Sequence, residues 1–152
     1  MNVTEQTLEN LTLTINQEIH VKASLDVTFA ALLEQLGPGN ETPDGKSLNM
    51  VIEPWPGGRW YRDLGDGNGH FWANVQAIKR PTLLEICGPL MISFPVYSNV
   101  RYRLSEVEGG TLIKFHHLAL GFVPDNFKAG VSSGWKGIHE RVRNAAESKR
   151  SH

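Results

Sequence analysis

This sequence has little of what staples, anchors or electrically steers a protein. Among 152 residues it holds one cysteine, Cys87, so an intramolecular disulfide is impossible and a bridge-stapled secreted domain is excluded. No stretch approaches the roughly 20 apolar residues that a membrane-spanning helix needs, so no membrane span is expected. The segment Met1 to Asn10 lacks the basic start and apolar run of a secretory leader, which makes the cytoplasm the expected location. Matches to the glycosylation pattern at Asn2, Asn10 and Asn40 are then read as chance. Charge of one sign is missing too. Fifteen basic residues stand against sixteen acidic ones, a formal net charge of −1, which offers no bulk attraction to nucleic acid or anionic lipid.

Signatures of metal and cofactor chemistry are equally scarce. His116 and His117 are adjacent on a predicted strand, so their side chains point to opposite faces and cannot chelate one ion. His139-Glu140 lacks the second histidine of the H-E-x-x-H zinc motif, and a calcium-loop reading of Asp63, Asp66 and Asn68 fails at Asn74, where the bidentate glutamate belongs. Gly65-x-Gly67-x-Gly69 has neither the Lys-Ser/Thr pair nor the following helix of a phosphate cradle and reads as a hairpin turn. Cys87, beside Leu83, Leu84 and Ile86, reads as inert core. No metal and no cofactor are expected, and no Ser-His-Asp or Cys-His arrangement marks a catalytic residue.

What is present is the composition of a globular protein, 40% apolar and 20% charged. A chain of this length buries roughly 70% of its unfolded surface, enough for one core that could surround a small cavity. From Leu11 to Val21 the odd positions are apolar except Gln17 and the even ones polar, the pattern of a strand with one buried face. Ser24 and Asp26 supply helix-starting chemistry before Val27, Phe29, Leu32, Leu33 and Leu36, and Gly37-Pro38-Gly39-Asn40 ends that helix. Leu48, Met50 and Ile52 alternate as a second strand, and strands are expected over 59–63, 70–79, 82–87, 96–106 and 110–120, joined by turns rich in glycine and proline. Short connections imply an antiparallel sheet.

Phe127, Val131, Trp135, Ile138 and Val142 then recur at helical spacing, predicting a long amphipathic helix over about 125–147 with Asp125 as its N-cap. The expected architecture is α+β: a curved antiparallel sheet wrapped around a long C-terminal helix, with short helices after strand 1. One domain over 11–147 is expected, with polar tails at 1–10 and 148–152. A single helix does not fill the hollow of a long curved sheet, and the space left is the natural ligand cavity.

Several segments then resemble a known family. Ile19-His20-Val21-Lys22-Ala23 followed by Val27 to Leu32 is similar to its first strand passing into a Val-x-x-Ala-Leu helix. Glu53-Pro54-Trp55-Pro56-Gly57-Gly58-Arg59-Trp60 resembles its Gly-Gly turn and aromatic strand, Val75 to Pro81 with Leu83 its central strand pair, and Gly110-Thr111-Leu112 with His117 its penultimate strand. Ser133-Gly134-Trp135 resembles the Gly-Trp near the start of its closing helix. The resemblance is to the helix-grip superfamily of START domains and the major birch-pollen allergen, and more narrowly to the C-terminal half of the activator of the Hsp90 ATPase. It implies the fold above, and a superfamily of lipid carriers, hormone receptors and polyketide cyclases.

The candidate cavity residues are Gln17, Trp60, Trp72, Met91, Phe94, Tyr102, Phe115, His117, Val131, Trp135 and Ile138. Gln17 is the polar exception on an inner face and needs a partner or a hydrated space. Tyr102 brings a hydroxyl to the inner face. His117 is either a core histidine with a backbone partner, or a ligand anchor or acid/base of lowered pKa. Trp60, Trp72 and Trp135 wall a pocket or fill the core, and Met91 with Phe94 forms a candidate rim. The first expectation is a protein that holds a hydrophobic or aromatic small molecule, as monomer or homodimer. The alternatives are a cyclase or hydrolase using the same cavity, and a partner of an Hsp90-type chaperone.

Overall fold

The computed structural model describes residues 9–150. The outer parts of the expected tails, 1–8 and 151–152, and the pattern at Asn2 lie outside the described residues. A 3-10 turn, Glu9–Leu11, leads into β1 (Thr12–Val21), helix α1 (Leu25–Leu36) and β2 (Met50–Ile52). Then follow β3 (Arg59–Gly65), β4 (Asn68–Lys79), β5 (Leu83–Gly88), β6 (Val96–Val107), β7 (Gly110–Gly121) and helix α2 (Asp125–Arg150). The strands form one antiparallel sheet in the order β1-β7-β6-β5-β4-β3-β2.

Alternation sets the two faces. On β1, Ile15, Ile19 and Val21 are buried while Thr14, Asn16, Glu18 and His20 are exposed. On β7, Thr111, Ile113, Phe115, His117 and Ala119 are buried, and on β6 so are Ser98, Val100, Tyr102 and Leu104. The register aligns these into rows across the inner face: Ile15–His117–Val100, Gln17–Phe115–Tyr102 and Ile19–Ile113–Leu104. Register shifts in β3–β4 and β4–β5 bend the far strands.

α1 is a single twelve-residue helix, where the sequence suggested short helices. Ser24 caps it, its Oγ accepting from Val27 N at 3.2 Å, and the Gly37 N–H returns to Leu33 O. The second strand starts only at Met50, because Asn49 adopts φ +53° and interrupts the extended chain after Leu48. At the Pro-Trp-Pro-Gly-Gly turn, a Cβ on Gly58 would lie 1.9 Å from Glu53 O, so only glycine fits there.

α2 begins at Asp125 itself and extends past the expected 147 to Arg150. Pro124 O accepts from Phe127 N and Lys128 N, so the capping position falls on Pro124, one residue earlier than expected. Val131, Trp135, Ile138, His139, Val142 and Ala146 form its buried face. The helix also covers the free edge of β1: Arg143 Nε donates to His20 O at 3.0 Å, and Lys22 N donates to Glu147 Oε2 at 2.9 Å. Among the described residues no helix is long and apolar enough to cross a membrane.

Candidate functional site

The inner-face rows place polar groups directly under α2, and two hydrogen-bonded chains use them up. In the first, the Trp135 indole N–H donates to His117 Nδ1 at 3.0 Å. The imidazole proton therefore sits on Nε2, which faces Ser98 Oγ at 2.9 Å. In the second, the Gln17 amide donates to Ser132 O at 3.1 Å, which turns Oε1 toward His139 Nδ1 at 2.7 Å. His139 Nε2 then accepts the Tyr102 hydroxyl proton at 2.9 Å. Phe115 lies between the chains, its ring centroid 4.6 Å from His139 and 4.8 Å from Trp135.

These groups are sealed. Tyr102 and His117 are 0% exposed and His139 is 3% exposed. Burial, with a smaller contribution from His116, pushes His117 down to about 4, and burial pushes His139 down to about 3. Burial also holds the Tyr102 phenol well above its usual value. Both histidines are thus neutral at pH 7 and their nitrogens are taken by protein partners, a constellation that braces helix against sheet.

The open space lies beside this core. A cavity of about 850 Å³ is bounded by α2, the 40–48 segment after α1, Trp72 of β4 and Met91. From α2 it is lined by Asn126, Phe127, Gly130, Val131, Ser133, Gly134, Trp135, Gly137, Ile138 and Arg141, and from the other side by Asn40, Glu41, Thr42, Pro43 and Leu48. Gly130, Gly134 and Gly137 recur at helical spacing, so they share one stripe about a third of a turn from the buried face. A Cβ on Gly130 or Gly134 would meet nothing within 4 Å. Glycine inside a helix costs about 1 kcal/mol relative to alanine, so this stripe keeps volume open at the expense of helix propensity.

The facing wall is held by its own bonds. Thr42 N donates to Lys46 O, Thr42 Oγ1 bonds the Asp44 carboxylate, and Leu48 N donates to Asn40 O. The strand break at Asn49 leaves Leu48 facing the cavity.

Of the candidates from sequence, Trp72, Met91, Val131, Trp135 and Ile138 line this cavity. Gln17, Tyr102, Phe115 and His117 are brought together under α2 and do not line it. His117 matches neither sequence reading fully: it is a core histidine whose partners are side chains, Ser98 and Trp135. Trp60 is fully buried behind Trp72, edge-on at 4.9 Å, with Nε1 donating to Leu36 O. Phe94 packs edge-on against Phe127 and lines a separate depression of about 330 Å³ with Phe122 and Lys128. Sequence reasoning missed Arg141, Asn40 and the glycine stripe, and it weighed His139 only as a zinc ligand. The i, i+4, i+7 spacing of Gly130, Gly134 and Gly137 is the signal from which the stripe could have been found.

Charged and metal-ligating groups are sparse around this space. Among the described residues no three His, Cys, Asp or Glu side chains converge into a group that could hold a metal ion. Arg141 and Glu41 are the charged residues of the lining. On the outer face of the sheet, Tyr97, Leu118 and Leu120 stand exposed on neighbouring strands.

No protein-family model and no curated protein matches the chain. Solved structures do. The crystal structure of Ara h 8.0201 aligns with TM-score 0.64 at 17% identity, over 90% of this chain and 99% of that one. The di-domain ARO/CYC protein StfQ of the steffimycin biosynthetic pathway aligns with TM-score 0.68 at 11% identity, over 95% of this chain and 54% of that one. The Aha1 dimer from Colwellia psychrerythraea aligns with TM-score 0.60 at 20% identity, over 89% of this chain and 96% of that one. The curved seven-stranded sheet closed by one long C-terminal helix is therefore the helix-grip fold that these proteins share.

Proposed function

We propose that this chain is a single-domain binding protein, working over residues 11–147, that holds a hydrophobic small molecule beside α2. The observation that carries this reading is the cavity of about 850 Å³, inside the roughly 300–1,000 Å³ range of small-molecule sites. Its walls fit the role: Trp72, Trp135, Phe127, Met91, Val131, Ile138 and Leu48 supply apolar surface, and the helix glycines keep the floor clear. Burial of apolar ligand surface would supply the affinity, at about 25 cal/mol per Å² before ordering costs. The unstapled, single-cysteine composition supports a cytoplasmic setting.

The test is a fluorescence titration with the neutral probe N-phenyl-1-naphthylamine, on the wild-type chain and on Gly134→Phe. The substituted ring enters open space, since a Cβ there has no neighbour within 4 Å. The expected result is saturable one-site binding by the wild type and its loss in a Gly134→Phe protein with an unchanged circular-dichroism spectrum. Equal binding by both would remove the cavity from the account.

A further inference from the structure

The cavity is unequal along its length. At the start of α2 its lining is mostly apolar, with Phe127 and Val131 beside Asn126 on the helix, and Met91, from the connection between β5 and β6, is also part of the lining. Fifteen residues beyond Asn126, about 22 Å along the axis at 1.5 Å per residue, stands Arg141. It is the lining's one cation, and Glu41 is the one anion.

Arg141 has much unused bonding capacity. A guanidinium carries five N–H donors in a planar fork. Here Nη2 donates to Asn40 Oδ1 and to Glu41 O, both at 3.4 Å, long for bonds from a charged donor, which ordinarily run about 2.7–2.9 Å. Nε is shut away from water and has no acceptor among the described residues. The Glu41 carboxylate forms no ion pair with it among the described residues, only the Glu41 backbone carbonyl accepting. Nη1 lies 3.8 Å from where a Cβ of Gly137 would stand, so the fork rests along the glycine stripe that floors the cavity. A buried donor without an acceptor is costly. Nε has no surface that a ligand could touch. A planar, bidentate anion at this end would bond the terminal nitrogens, as Arg–carboxylate pairs do: Nη1, which has no partner among the described residues, and Nη2 with its two long bonds.

From this geometry we infer that the occupant is an elongated anionic amphiphile, its apolar chain along the glycine stripe toward Phe127 and Met91 and its carboxylate on Arg141. The inference rests on the cavity being a binding site, as stated above, and names the class of molecule it takes.

Competition against N-phenyl-1-naphthylamine at neutral pH separates the two statements, using decanoate and decan-1-ol on the wild type, Arg141→Gln and Arg141→Lys. In the wild type decanoate should displace the probe at least about tenfold more tightly than decan-1-ol, the scale of one charged hydrogen-bonded contact. Arg141→Gln should lose that preference, bringing the two molecules to within about twofold of each other, and Arg141→Lys should keep part of it. Equal displacement by the two molecules in the wild type, displacement by neither, or a preference that survives in Arg141→Gln overturns the anionic assignment. Failure of the neutral probe itself to bind the wild type overturns the cavity reading instead.

Discussion

Two faces of helix α2, about a third of a turn apart, are built on opposite rules. One carries Val131, Trp135, His139, Val142 and Ala146 and packs onto the rows of β1, β7 and β6 with its polar atoms bonded inside the protein. The other carries Gly130, Gly134, Gly137 and Arg141, faces open volume, and keeps a guanidinium with a buried, unbonded Nε. The first face is finished by the protein, whereas the second is unfinished in both volume and hydrogen bonding. A helix-grip hollow is therefore not a uniform cavity. Here its centre is solid, and the open volume lies at the flank of the helix.

The comparison breaks most visibly if the packed face proves dispensable. Trp135→Ala deletes a buried indole and the hydrogen bond to His117 Nδ1, so chemical denaturation should show a loss of about 3–5 kcal/mol. A loss under about 1 kcal/mol would mean that the face is loosely packed.

Next in size is pH. His117 and His139 titrate well below their ordinary value, so the native state resists protonation that the unfolded chain accepts below about 6.5. Their contribution is complete above that value and is lost as pH falls toward the folded values of about 4 and 3. Between pH 6.5 and 5 each should cost roughly 1.5 kcal/mol. His139→Gln should remove close to one proton from the pH slope of unfolding free energy in that window, and an unchanged slope would contradict its sealed, neutral state.

The smallest effect sharpens the open face. Gly134→Ala should stabilise the protein by up to about 1 kcal/mol, since the methyl group meets nothing and the helix gains propensity. A destabilised Gly134→Ala protein would mean that the stripe is packed against something.

Much of the packed face was legible in the sequence because it is periodic. The alternation along β1 exposed Gln17 as a polar residue on an inner face, and the same alternation put Tyr102, Phe115 and His117 inside. What periodicity cannot show is which rows align. The meeting of Gln17, Tyr102 and His139 depends on the β1–β7–β6 register and on where α2 crosses it. The open face was harder to read. Its far wall is the aperiodic 40–48 segment, positioned by a positive-φ Asn49 and by hydrogen bonds within the loop. The glycine spacing was visible in the sequence, but in a helix glycine reads as weakness until the space beside it is seen.

The most direct test of the central claim is an amide NMR titration of the labelled chain with N-phenyl-1-naphthylamine. The account predicts saturable shifts at Gly130, Gly134 and Gly137 and at the Trp72 indole, with Leu118 and Leu120 on the outer sheet face unmoved. Shifts confined to the outer face, with the three helix glycines silent, would contradict it.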